Sequence, residues 1–130
     1  MFAYGTLMFD EVFRMVCGDA RVGAVAVVQD YARYAVRGQS FPAIVRESGA
    51  HTQGLLFHDI ELPMWTRLDA FEGDLYQRIE VSVLTEKAMP LSAQTYVFAA
   101  SSMPLLTTHA WNPESFATQD LPGFVQRHAS

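Results

Sequence analysis

Arg78-Ile79-Glu80-Val81-Ser82-Val83-Leu84 and the later run Gln94-Thr95-Tyr96-Val97-Phe98-Ala99 decide the fold. In the first, Ile79, Val81 and Val83 alternate with Glu80 and Ser82, the two-residue period of a strand with one buried face. In the second, Tyr96 and Phe98 point one way. A turn around residues 87–90 separates the two runs, so they read as an antiparallel hairpin.

Working outward, the spacing becomes helical over residues 61–71. Leu62, Trp65 and Leu68 recur every third residue, and Gly73 follows the end. Residues 53–60 read as a strand with Leu55 and Phe57 on one face. Residues 22–28 are small, apolar and β-branched, which suits a buried strand that residues 31–36 continue or pair with. Ile44 and Val45 form a short extended piece after Pro42. Phe2-Ala3-Tyr4 is a short strand stopping at Gly5. Residues 10–16 read as a helix capped by Asp10, with Val12, Phe13 and Val16 on one face and Gly18 at its end. Asn112-Pro113 opens a short helix in the tail between 111 and 124. The elements are short, turn-linked and mainly strands. The expected fold class is α+β: a small, mixed, mainly antiparallel β-barrel flanked by helices, with residues 1–130 as one domain.

Half of the residues (50%) are hydrophobic and 18% are charged, a balance that supports a packed core and excludes a disordered chain. A net charge of −5 without a lysine or arginine cluster makes nucleic acid an unfavourable partner. No apolar run approaches the ~18 residues a membrane helix needs, and no basic-then-apolar leader opens the chain. Cys17 is the one cysteine and has no internal partner, so a reducing compartment, the cytoplasm, is expected. The four histidines, His51, His58, His109 and His128, are too scattered to suggest a metal site. No serine-nucleophile elbow, Walker loop or dinucleotide-binding glycine pattern occurs. A small molecule is the expected ligand, and the oligomeric state stays open.

Four stretches carry candidate chemistry. Tyr4-Gly5-Thr6-Leu7 sits where a strand gives way to a helix, a turn whose free amides can bind a carboxylate or oxyanion. In Asp69-Ala70-Phe71-Glu72-Gly73, helical spacing puts Asp69 and Glu72 on one face. The negative helix end and apolar Phe71 should both raise the pKa of Glu72 toward that of a neutral-pH proton shuttle. Tyr76 and Arg78, two apart on a strand, share a face and could hold a substrate or orient Glu72. Phe41-Pro42-Ala43-Ile44-Val45 is either a pocket wall or a plain start to a strand. Cys17 reads as a buried helix residue.

The order and spacing of these pieces carry more than any one of them. Together with Tyr31-Ala32-Arg33-Tyr34, Gly54-Leu55-Leu56, Tyr76-Gln77-Arg78 and Thr95-Tyr96-Val97, they make the sequence resemble the gamma-glutamylcyclotransferase-like superfamily, and more closely its AIG2-like branch. The resemblance runs from the N-terminus to about residue 99, and the stretch after Leu7, Met8-Phe9-Asp10-Glu11, matches that branch.

The resemblance implies a small β-barrel with outer helices and cleavage of a γ-glutamyl amine or peptide. In that reaction the substrate's own α-amine attacks its γ-carbonyl, giving 5-oxoproline and a free amine. It further implies that residues 4–7 hold the glutamyl group through the main chain, that Glu72 is the acid/base, and that no metal or cofactor is required. Two other readings stay open: a non-catalytic binding module for a γ-glutamyl or other carboxylate-bearing metabolite, and an amidohydrolase that uses water.

Overall fold

The computed structural model describes residues 1–128. Strands β2 (Ala24–Val36) and β3 (Pro42–Leu56) form the centre of its sheet, paired antiparallel from Ala24↔Leu56 to Ala35↔Pro42. Residues 31–36 thus continue the strand before them. The ladder shifts at Asp30, which adopts φ 64° while its Oδ1 accepts from the Gly49 amide at 3.0 Å. Opposite it, residues 47–50 have no ladder partner. This irregularity splits the hydrophobic pattern, which is why residues 44–45 and 53–60 read as separate pieces of what is one strand. Residues 57–60 lie outside β3, and the Phe57 amide donates instead to the Met1 carbonyl at 2.8 Å. The start of β2 moves from Val22 to Ala24, since Val22 is 95% exposed.

The hairpin of β4 (Tyr76–Thr85) and β5 (Pro90–Phe98) runs from Tyr76↔Phe98 to Leu84↔Pro90. β4 also pairs with β2, and β1 (Phe2–Ala3) pairs with β3, giving the order β1-β3-β2-β4-β5. A strand that the pattern did not suggest, β6 (Leu106–Ala110), joins the far end of β2. The sheet curls until its edges meet. Buried Thr95 on β5 donates its hydroxyl to the Phe2 carbonyl at 2.8 Å, and the Tyr4 hydroxyl donates to the Tyr96 carbonyl at 2.6 Å. Side chains bridge this seam where a closed barrel would carry a ladder.

Helices α1 (Asp10–Cys17) and α2 (Leu62–Glu72) cover one side with the tail. Phe9 and not Asp10 occupies the cap of α1; Asp10 is the first helical residue and pairs with Arg14 at 3.3 Å. A carboxylate there still complements the helix dipole. Glu61 caps α2. The tail is longer than its sequence suggested. Asn112 Oδ1 accepts from the amides of Glu114 and Ser115 at the start of α3 (Pro113–Ser115), a π-helical turn spans Phe116–Asp120, and α4 (Leu121–His128) follows.

Phe13 stacks on Phe57 at 4.5 Å, and with Leu68, Phe116 and Phe124 they fill the core between helices and sheet. A second cluster, around Phe2, Val28, Ile44 and Val83, fills the curl. Cys17 is buried in α1, and desolvation pushes its thiol up to about 11. No helix among the described residues is long and apolar enough to cross a membrane.

Candidate active site

A cavity of about 240 Å³ opens where the β1–β5 seam meets the end of α2. Residues 1–7 form one wall, Phe41 and Pro42 at the start of β3 a second, and Phe71, Glu72, Leu75 and Tyr76 a third. Thr95, Tyr96, Phe124 and His128 complete it.

The local sequence explains the 4–7 wall. After β1 the chain tightens into a 3-10 turn over Thr6–Met8, with the Met8 amide bonded to the Gly5 carbonyl at 3.0 Å. The first amides of such a turn have no carbonyl within it to donate to. Gly5 permits the close packing, because a Cβ there would sit 2.8 Å from Cγ of Pro42. The Tyr4 carbonyl is held on the other side by Arg33, whose Nη1 donates to it at 2.8 Å and whose guanidinium lies over the Trp111 ring at 5.2 Å. Arg33 does not line the cavity.

Glu72 is the last residue of α2, and its neighbour Gly73 takes φ 67°, ψ −159°, a conformation open to glycine and strained for other residues. That break ends the helix with the Glu72 side chain lining the cavity. Glu72 keeps some accessible surface, yet protein atoms crowd its carboxyl, and desolvation raises its pKa from 4.5 to about 8. No hydrogen bond or counter-charge among the described residues offsets that effect. The cause is thus the apolar surroundings, one of the two effects expected from the sequence.

Three phenols feel the Glu72 charge, and none spends its proton on it. The Tyr4 hydroxyl donates to the Tyr96 carbonyl (2.6 Å), Tyr76 to the Pro42 carbonyl (2.7 Å) and Tyr96 to Asp69 Oδ1 (2.6 Å). Burial first, and other charges including that of Glu72, push all three phenols above their ordinary value, so they stay protonated and act as fixed donors.

Tyr4, Gly5, Thr6, Leu7, Glu72 and Tyr76 therefore line one cavity. Arg78 does not. Its Nε sits 3.2 Å from Asp69 Oδ1 and its guanidinium lies 4.5 Å over the Trp65 ring. A strand advances ~6.6 Å in two residues, so sharing a face with Tyr76 did not bring Arg78 into the same space. Asp69 likewise faces Arg78 and Tyr96. Phe124 stood out in the sequence only as an apolar residue at the end of the tail segment, suited to cover the barrel or meet a second subunit, and His128 lay beyond that segment, because α4 was not foreseen to its full length. His128 packs on Phe124 at 4.3 Å and on Phe71 at 5.8 Å, and its Nδ1 lies 2.8 Å from the Phe124 carbonyl. Among the described residues no group of His, Cys, Asp and Glu side chains converges to hold a metal.

The curled antiparallel sheet and its helical cover have the cyclotransferase fold, with the Glu72 carboxyl lining its cavity. The chain belongs to the family described as gamma-glutamyl cyclotransferase, AIG2-like, whose model matches residues 1–113. AIG2-like protein D of Arabidopsis thaliana is 30% identical over 128 residues, covering 97% of this chain and 84% of that protein. A solution structure of another Arabidopsis thaliana protein superposes with a TM-score of 0.74 at 23% identity, covering 97% of this chain and 76% of that one. A solved gamma-glutamyl cyclotransferase superposes at TM-score 0.63 and 20% identity over 75% of this chain and 64% of that one, a likeness of fold.

Proposed function

We propose that this protein is a gamma-glutamylcyclotransferase that converts a γ-glutamyl amine or peptide to 5-oxoproline and a free amine. The observation that carries the reading is the unpaired Glu72 carboxyl in the cavity walled by residues 4–7. Family membership and a neighbour named gamma-glutamyl cyclotransferase support it.

The substrate's α-amine arrives as an ammonium and attacks only after losing a proton. Ionised Glu72 takes that proton, and a pKa of about 8 matches the α-amine range near 8. The nitrogen then bonds to the γ-carbonyl carbon and closes a five-membered ring. Main-chain donors of residues 4–7 steady the oxyanion. Collapse breaks the bond to the departing nitrogen, to which Glu72 returns its proton. The two protons that the attacking nitrogen gives up are the two that the departing nitrogen gains. Holding the glutamyl arm curled supplies much of the acceleration, because attack is already intramolecular. Tyr76 shapes the wall beside Glu72. Arg78 acts at one remove, through Asp69 to Tyr96.

The test is to incubate purified protein with a panel of γ-glutamyl amines and dipeptides and measure 5-oxoproline. Release by wild type and its loss in Glu72→Gln are expected. No release, or equal release by the variant, refutes the proposal. Solvent oxygen-18 appearing in a product acid would instead assign hydrolysis, since ring closure adds no water.

A further inference from the structure

Of the residues lining the cavity, His128 alone is exposed, so it marks the mouth. It is the last residue of α4 and lies beyond the 1–113 stretch that the family model matches. Its ring is fixed in place. The ring packs on Phe124 at 4.3 Å and edge-on against Phe71 at 5.8 Å, and its Nδ1 lies 2.8 Å from the Phe124 carbonyl. A carbonyl only accepts, so Nδ1 is the donor there and Nε2 is the nitrogen left to meet a ligand.

Most other polar groups of the cavity are engaged. The hydroxyls of Tyr4, Tyr76, Tyr96 and Thr95 donate to protein acceptors, and the Met1 nitrogen donates to the Phe57 carbonyl at 2.8 Å. Thr6 is buried within the turn whose amides face the oxyanion. No lysine or arginine lines the cavity, so His128 is the side chain that can carry positive charge at its mouth.

A substrate with its α-amine at Glu72 and its γ-carbonyl at the turn extends its departing half toward the mouth. A charged imidazole donates from both nitrogens, and a carboxylate brought near it favours that charged form. At the rim such a pair keeps its access to water, so neither ion is stranded in an apolar interior.

We propose that His128 is a specificity-determining residue whose Nε2 receives a carboxylate on the departing half of the substrate. The inference rests on the cyclotransferase reading of the same cavity.

γ-Glutamyl-alanine and γ-glutamyl-alaninamide test it, because a near-isosteric carboxamide replaces the carboxylate in the second. Steady-state release of 5-oxoproline gives kcat/KM for each. His128→Leu should lower the acid-to-amide ratio of kcat/KM at least about fivefold, chiefly through KM, the scale of a charge-assisted hydrogen bond partly open to water. His128→Lys restores a cation and should keep the ratio within about twofold of wild type. Both changes fall on an exposed residue, and thermal unfolding verifies that the variants fold. An unchanged ratio in His128→Leu overturns the inference and leaves the cyclotransferase reading standing. A lysine variant as low as the leucine variant does the same, as does wild type that turns over the amide and not the acid. If neither compound yields 5-oxoproline, the wider γ-glutamyl panel decides the cyclotransferase reading, and calorimetric binding of these two decides the inference. A fall of at least about fivefold in the acid-to-amide affinity ratio in His128→Leu supports it; an unchanged ratio or absent binding overturns it.

Discussion

Replacing Glu72 with glutamine should make the protein more stable at neutral and alkaline pH. The carboxyl ionises at about 8 in the fold, against 4.5 for an ordinary glutamate. The unfolded chain therefore gives up this proton from pH 4.5 upward, while the folded chain keeps it until pH 8. The favourable contribution is complete below 4.5, shrinks through that window and is gone above 8. Each pH unit is worth about 1.4 kcal/mol, so the interval sets a ceiling of about 5 kcal/mol. Glu72 keeps some accessible surface, and water reaching it through the cavity lowers the expected loss to about 2–3 kcal/mol. Glutamine fills the same space and never ionises, so the variant carries no such slope. Urea denaturation followed by the fluorescence of Trp65 and Trp111 at pH 5, 7 and 8.5 measures both proteins. The variant should lead by less than about 1 kcal/mol at pH 5 and by the stated amount at pH 8.5. Parallel stability curves across this range would show that the fold does not penalise the carboxylate, and the reasoning from burial to acid/base function would fail with it.

The same pKa shapes the rate. With ionised Glu72 as the base and a substrate ammonium that titrates near 8, kcat/KM should rise about 25-fold from pH 6 to pH 8, following the product of the two fractions; a flat profile in stopped-time 5-oxoproline assays excludes that role. Arg33→Met strips the Tyr4 carbonyl of its 2.8 Å donor and should cost about 1–3 kcal/mol in urea melts while raising KM, with Arg33→Lys falling between. Gly73→Ala forces a side chain into the strained conformation after Glu72, costing about 1–3 kcal/mol by thermal melting, and should lower kcat by moving the carboxyl. Leu68→Ala opens a hole under α2 and should cost about 2–5 kcal/mol in the same melts.

Some of this molecule was legible before any coordinates. The alternation from Arg78 onward foretold the β4–β5 hairpin, because strand period and turn chemistry are local properties. The spacing of Leu62, Trp65 and Leu68 and the break at Gly73 foretold α2 to within a residue. The long β3 was hidden by Glu47-Ser48-Gly49-Ala50, whose tolerance depends on Asp30 across the ladder. β6 was hidden too, since Leu106-Thr107-Thr108-His109-Ala110 has a weak pattern and takes its strand form by pairing with β2.

For the cavity, the sequence by itself determined the pieces: a glycine-bearing turn after a first strand, and a glutamate beside phenylalanine at a helix end. Tertiary structure decided how they combine. The 4–7 turn and Glu72 are far apart along the chain, and the curl that brings β1 against β5 seats both on one cavity. It also left Arg78 outside with Asp69 and Trp65, and brought in Phe124 from α4. The raised Glu72 pKa depends on that enclosure, since desolvation is a property of everything packed around a group, near or distant in sequence.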